Sequence, residues 1–220
     1  MAEHRVEQVM GMPISVDVRD PAVGGAAVDR VFAWLRHVDE VFSTYIEGSE
    51  ISRLGRGELA LEASSAEVRE IIELCEGLRE ATDGYFDARA DHGWLDPSGV
   101  VKGWSVERAS ALLVEDGSAN HCINAAGDVR VRGRPEPGRS WQIGVVHPQH
   151  PDALTTVVSV SDAAVATSGT HERGLHVFDP HTFRPADQLA SVTVVGPDLT
   201  FADAYATAAL ARGLAAPAWL

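Results

Sequence analysis

The apolar residues of this chain repeat with two periods, and the order of those periods restricts the architectures open to it. A helical period marks 24–42, where Val28, Val31, Phe32, Leu35, Val38 and Phe42 share a face. It recurs over 65–82, where Val68, Ile71, Ile72, Cys75 and Leu78 follow Ser64 and Ser65 as candidate caps. Two more helices are predicted over 100–114 and 201–212. Strand-like segments occupy 12–18, 121–132, 141–147, 155–161, 163–168, 174–178 and 190–195, punctuated by turns at Gly127-Asp128, Gly133-Arg134-Pro135 and Ser168-Gly169. Helices and strands do not alternate strictly, which argues against a doubly wound parallel sheet. The expectation is an α+β fold: one domain over 1–220, with a mixed or antiparallel sheet flanked by helices. The segments 135–137 and 147–151 read as surface loops, and there is no internal repeat.

Charge narrows the partners. Thirty-two acidic residues against eighteen basic ones give a formal charge of -14. A nucleic-acid or anionic-membrane partner needs a positive footprint, so neither is expected. A phosphorylated substrate must then be held by local features: a cation, a helix N-terminus or a few placed bases. Cys75 and Cys122 have no ligand-like spacing and read as buried thiols. The first residues carry no apolar leader, and no run approaches the ~18 apolar residues of a membrane span, so a cytoplasmic location is expected.

Three constellations could carry chemistry. Asp96-Pro97-Ser98-Gly99 delivers the chain into the third helix, whose first amides attract anions, and Lys102 follows in its opening. The helix dipole opposes a cation there, so Lys102 suits a nearby phosphate; the alternative is that Ser98 caps and Lys102 reaches to water. The Walker spacing is missing. Asp203 and Thr207 lie four apart on the fourth helix, so their oxygens share a face and could ligate Mg²⁺. Thr200 and Asp203 equally fit a capping box. His147, His150, His171, His176 and His181 crowd one stretch without zinc-ligand spacing and read as solvated. His176 differs by sitting in the apolar run His176-Val177-Phe178 before Asp179-Pro180, where it is either a general base or a half-buried histidine.

Read in order, these segments resemble the ApbE family of FAD:protein FMN transferases. Met10-Gly11 is similar to the family's N-terminal Met-Gly. Phe42-Ser43-Thr44-Tyr45 with Ser49-Glu50-Ile51-Ser52-Arg53-Leu54 resembles one signature, and Thr82-Asp83-Gly84-Tyr85-Phe86-Asp87 a second. The stretch 96–103, the turn 124–128, Ala166-Thr167-Ser168-Gly169, the run 176–180 and the pair Asp203/Thr207 complete the series. The resemblance implies Mg²⁺ on Asp203, Thr207 and the Gly99 carbonyl, with His176 as the catalytic histidine. It also implies FAD contacts from Met10, Tyr45, Tyr85, Phe86, Asp87, Asp96, Lys102 and Val177. Three departures stand out: Ala126 replaces a glycine, Thr182-Phe183-Arg184 replaces the usual Thr-Gly, and the segment between Asp87 and Asp96 is short.

What this implies is a Mg²⁺-dependent transfer of FMN from FAD to a Ser or Thr hydroxyl of an acceptor flavoprotein, with AMP released. Two alternatives stay open. With water as nucleophile the same site is a Mg²⁺-dependent FAD pyrophosphatase, and without chemistry the chain is a flavin-binding protein.

Overall fold

The two periods resolve into a layer of helices laid against one face of an antiparallel sheet. The structure is a computed structural model, and it describes residues 3–89, 93–170, 174 and 177–219. Six strands lie in the order β1 (Glu3–Val9), β2 (Met12–Val18), β3 (His121–Ala125), β4 (Asp128–Arg132), β7 (Ala163–Gly169) and β10 (Ser191–Gly196). Every neighbouring pair is antiparallel. Two hairpins stand apart: β5 (Trp141–His147) with β6 (His150–Val160), and β8 (Phe178–Asp179) with β9 (Arg184–Pro185). The helices are α1 (Gly25–Phe42), α2 (Glu50–Gly55), α3 (Ala66–Ala81), α4 (Ser98–Glu115) and α5 (Leu199–Arg212).

The α+β expectation holds, with a sheet that is antiparallel throughout. Several local readings change. The sequence does not mark the edge strand β1, because it buries only Val9 while its other residues are polar or, like Val6, exposed, so it lacks apolar alternation. The predicted strand 121–132 is two strands folded at Ala126-Gly127. Of the predicted strand 174–178, only Phe178 lies in a strand of the described residues. The expected loop at 147–151 is the tip of the β5–β6 hairpin, with His147 and His150 as cross-strand partners.

The main core lies between sheet and helices. Ile14 and Val16 of β2, Val28, Phe32 and Leu35 of α1, Ile123 of β3 and Leu199 of α5 are fully buried there. Each such side chain stabilises by roughly 1.5–3 kcal/mol relative to exposure. A second cluster packs α3 beneath the near ends of α1, α4 and α5, through Ile71, Leu78, Val100 and Ala204. The helices α4 and α5 touch backbone to backbone. A Cβ on Gly103 would lie 2.4 Å from the Leu199 carbonyl oxygen, so only glycine fits. The alanines of α5, among them Ala202, Ala206 and Ala209, keep that helix thin where it meets its neighbours.

Alternation across β4 sets up the site. Val129 and Val131 point away from the helices, into a small cluster with Trp141 at the root of the β5–β6 hairpin. The opposite parity, Asp128 and Arg130, then faces the helix layer and meets α4: Asp128 pairs with Lys102, and Arg130 with Glu107.

Candidate active site

In an antiparallel sheet the end of one strand lies beside the start of its partner. Hence the β1–β2 turn, the β3–β4 turn, the end of β7 and the start of β10 share one edge. A cleft of about 1410 Å³ runs along that edge, roofed by the start of α4, the middle of α5 and the β5–β6 hairpin. Two tight turns form its rim. Met10-Gly11 and Ala126-Gly127 each have both central residues at positive φ, +55° and +71° in the first, +48° and +97° in the second. That is the two-residue hairpin geometry matching the twist of the strands. Ala126 adopts the left-handed conformation despite its Cβ, so the departure from glycine is absorbed as strain and not as a changed turn.

The described residues singled out from the sequence come together. Met10, Tyr45, Tyr85, Phe86, Asp87 and Asp96 line the cleft, as do Gly99, Lys102, Val177, Asp203 and Thr207. His176 lies outside the described residues. Their settings differ. Phe86 is buried, whereas Tyr45 is 98% exposed at the mouth. The Asp96 Oδ1 atom accepts the Ser98 N–H at 2.9 Å, and Ser98 is the first residue of α4, so the expected Ser98 cap is replaced by Asp96. The capping-box reading of Asp203 also falls: Asp198 caps α5, its carboxylate accepting the Thr200 N–H at 2.8 Å. Asp203 is freed to face α4.

At the centre sits a buried charge cluster. Lys102 Nζ is 2.5 Å from Asp128 Oδ2 and 3.7 Å from Asp203 Oδ1. Asp203 Oδ2 accepts the Gly103 N–H at 3.0 Å, and Asp128 Oδ1 accepts the Thr167 N–H at 2.9 Å. Thr207 Oγ1 lies 3.1 Å from Ser168 Oγ. Burial pushes the Asp203 carboxyl up to about 7; the Asp128 carboxylate adds to the rise, while Lys102 and the Gly103 N–H oppose it. The Lys102 seen here is therefore neither solvated nor in the opening turn: it is the fifth residue of α4 and holds two carboxylates. In the sequence Asp128 stands only within the turn 124–128. The signal that could have found it is the parity of β4, which turns a carboxylate toward the helix layer.

This donor set fits a hard divalent cation. Two buried carboxyl groups share one ammonium, and with both ionised they leave an excess negative charge that a cation would offset. The Thr207 hydroxyl stands beside Gly99, whose Cβ, if present, would lie 3.7 Å from Thr207 Oγ1 and 3.3 Å from the Phe86 ring. The Gly103 N–H, which a regular helix aims at the Gly99 carbonyl, is drawn toward Asp203. Carboxylate, hydroxyl and carbonyl oxygens are the ligands Mg²⁺ takes, alongside water and substrate phosphate. The rest of the cleft is acidic as well: Asp39, Asp87 and Asp96 line it, against Lys102 as the one lysine or arginine among the described lining residues.

Comparison with known proteins follows the same lines. The ApbE family model matches residues 10–94 and 89–220. A FAD:protein FMN transferase of Vibrio cholerae is 29% identical over 130 residues, 54% of this chain and 39% of that protein. One of Chlamydia pneumoniae is 22% identical over 253 residues, 88% of this chain and 77% of that protein. The match to the Vibrio cholerae relative, and that to a Haemophilus influenzae relative, thus spans under two fifths of those proteins' length, 39% and 38%. Among solved structures, the flavin transferase ApbE from Vibrio cholerae superposes with a TM-score of 0.87 at 22% identity, covering 100% of this chain and 90% of that one. The apo flavinyl transferase ApbE of Pseudomonas stutzeri gives 0.84 at 23% identity, covering 100% and 87%. These structures share the fold, and the family model spans nearly the whole sequence. The chain belongs to the ApbE family.

Proposed function

We propose that this protein transfers the FMN half of FAD to a serine or threonine hydroxyl of an acceptor protein and releases AMP, with Mg²⁺ as cofactor. The observation that carries the reading is the meeting of Gly99, Lys102, Asp203 and Thr207 at the base of a cleft large enough for a dinucleotide. Its volume of about 1410 Å³ exceeds the 300–1,000 Å³ usual for small-ligand sites. The names of the Vibrio cholerae and Chlamydia pneumoniae relatives support the same reaction class.

The division of labour follows from the charges. An acidic cleft repels a pyrophosphate unless a cation intervenes, and Asp203, Thr207 and the Gly99 carbonyl would hold one. Mg²⁺, when bound, neutralises phosphate charge and polarises the bond that breaks. Lys102 is the protein's own cation at that point, and α4 begins at the cleft with the positive end of its dipole. The remaining catalysis is positioning. The acceptor oxygen forms a bond to the FMN phosphorus as the bond from that phosphorus to the AMP oxygen breaks. The hydroxyl proton passes to a base, the role the family resemblance gives His176, and AMP leaves. Tyr45 and Tyr85 offer aromatic faces to the flavin and adenine rings.

The test is incubation with FAD, Mg²⁺ and a candidate acceptor carrying an FMN-binding domain, followed by intact-mass spectrometry. An FMN adduct with equimolar AMP is expected. AMP and free FMN without adduct would reassign the protein as a hydrolase, and no turnover of FAD at all would leave it a binding protein.

A further inference from the structure

Arg212, in the last turn of α5, is the centre of a column of planar side chains that ends at the cleft. Its guanidinium lies 4.9 Å from the ring centre of Tyr85 and 5.1 Å from that of Trp219. Trp219 in turn packs against Tyr205, with ring centres 5.5 Å apart. Arg212 Nη1 donates to Asp83 Oδ2 at 3.0 Å, which fixes the guanidinium plane from the side. His181 closes the column: its ring meets Tyr85 edge-on at 4.6 Å, and its Nε2 is 3.0 Å from the Asp83 carbonyl oxygen.

The backbone before Tyr85 is held as firmly. Asp83 and Gly84 both take positive φ, +54° and +81°, and a Cβ on Gly84 would come within 3.3 Å of His181. The Thr82 hydroxyl donates to the Leu78 carbonyl and accepts the Phe86 N–H at 2.9 Å. A tyrosine ring has two faces and an edge. Here one face lies under a guanidinium and an imidazole stands steeply tilted against the ring, so the part of the ring left open is what Tyr85 offers to the cleft it lines. Arg212 itself does not line the cleft, so whatever it does for a ligand it does through Tyr85.

We infer that Arg212 is a positioning residue for a planar ring of the substrate: it backs Tyr85 and holds it as a fixed stacking wall for the flavin or the adenine of FAD. The inference rests on the cleft being a site for a flavin dinucleotide. A loose tyrosine loses ring freedom when a ligand stacks on it; a clamped one has lost that freedom on folding, so more of the stacking appears as affinity. The Asp83 ion pair matters because it tethers the guanidinium beside the ring it covers, and a planar fork can be tethered at one nitrogen while it covers a ring, which a lysine cannot do.

The test is a double-mutant cycle on ligand-free protein, using Arg212→Met, Tyr85→Leu and the double variant. Binding is read from flavin fluorescence for FAD and FMN, and by calorimetry for ADP and inorganic pyrophosphate, all with Mg²⁺. Arg212→Met is expected to weaken FAD binding roughly three- to tenfold, the range of one aromatic contact. The double variant should bind no more weakly than Tyr85→Leu alone, since both act on one surface. Pyrophosphate, which has no ring, should bind parent and Arg212→Met alike. The ring that stacks is whichever of FMN or ADP loses affinity. Arg212→Lys should recover only part of the loss, and it keeps the test available should the methionine variant fold poorly. Parent-like FAD affinity in Arg212→Met, multiplicative losses in the double variant, or an equal loss for pyrophosphate would each overturn the inference. A parent protein that binds none of FAD, FMN and ADP would overturn instead the reading of the cleft as a flavin-dinucleotide site.

Discussion

Replacing Lys102 by Met separates a surface lysine from one that holds the site together. A solvated lysine would leave the ligand-free protein unchanged or slightly more stable, because the dipole of α4 disfavours a cation near its start. The structure gives the opposite sign. Asp128 and Asp203 are 1% and 2% exposed, and Lys102 is the cation within 4 Å of both. Removing one partner of a buried ion pair typically costs 3–5 kcal/mol. Two features reduce that figure here: Lys102 keeps 24% of its side chain exposed, and Asp203, already raised to about 7, can take up a proton. A loss of about 2–3 kcal/mol at pH 7 is expected, or a Tm lower by ~5–10 °C for a chain of this size. Mg²⁺ alone, without FAD, should raise the Tm of Lys102→Met more than that of the parent, because it replaces a missing charge. Thermal denaturation with and without Mg²⁺ reads both effects, with Lys102→Arg as the charge-retaining control. A ligand-free Lys102→Met protein as stable as its parent would refute the argument.

Four further outcomes follow from single residues. Asp203→Asn should keep most of the stability of the ligand-free protein, since its amide oxygen can still accept the Gly103 N–H, Lys102 keeps Asp128 and Asp198 caps α5, but lose the thermal shift produced by Mg²⁺; a retained shift would remove Asp203 from the cation site. Asp198→Ala, in contrast, should cost about 1 kcal/mol with the Mg²⁺ shift intact. Ala126→Gly should stabilise by about 1 kcal/mol by relieving the left-handed alanine at φ +48°, and an unchanged or lower Tm would show that the turn carries no strain. His121 is fully buried between Ser110 and Ser118; burial, then Arg132 and Arg130, hold its imidazole down at about 4 against an ordinary 6.5. The unfolded chain therefore binds the proton first, so this stability is complete above pH 6.5 and is lost as pH falls toward 4, by up to ~1.4 kcal/mol per pH unit. Urea unfolding across that window should show the slope in the parent and a shallower one in His121→Gln, and equal slopes would dismiss the effect.

The parts of the fold legible in the sequence are those whose burial is one-sided. Val28 through Phe42 repeats at helical spacing because α1 has one wet face, and its ends are met within a residue. Four elements escaped for contrasting reasons. The strand β1 is an edge, so its side chains need not alternate in polarity; α2 is too short to show a period. The hairpin at Ala126-Gly127 is marked in the sequence only by the turn at Gly127-Asp128, one residue late and inside a single strand-like segment, because alanine is not a turn residue. The tip at His147 and His150 looks like loop because its prolines mask the pairing. The site was legible as a set of residues and not as a geometry. Asp203 and Thr207 lie on one helix, so spacing alone relates them. Their relation to Lys102 and Asp128 depends on a crossing of α4 and α5 that nothing local encodes except Gly103.

That crossing has a consequence for how the cleft can change shape. Gly99 and Lys102 ride on α4, Asp203 and Thr207 on α5, and the two helices meet at Gly103, where the Leu199 carbonyl approaches the α4 backbone directly and Asp203 bonds the Gly103 N–H. Helices in backbone contact cannot slide by a fraction of a turn without collision, so the four groups behave as parts of one body. Whatever adjustment a long, jointed substrate demands must then fall on the segments around that body: the exposed Tyr45 loop, the two rim turns and the β5–β6 hairpin. The floor of the cleft is therefore fixed, and adaptation is left to its exposed rim.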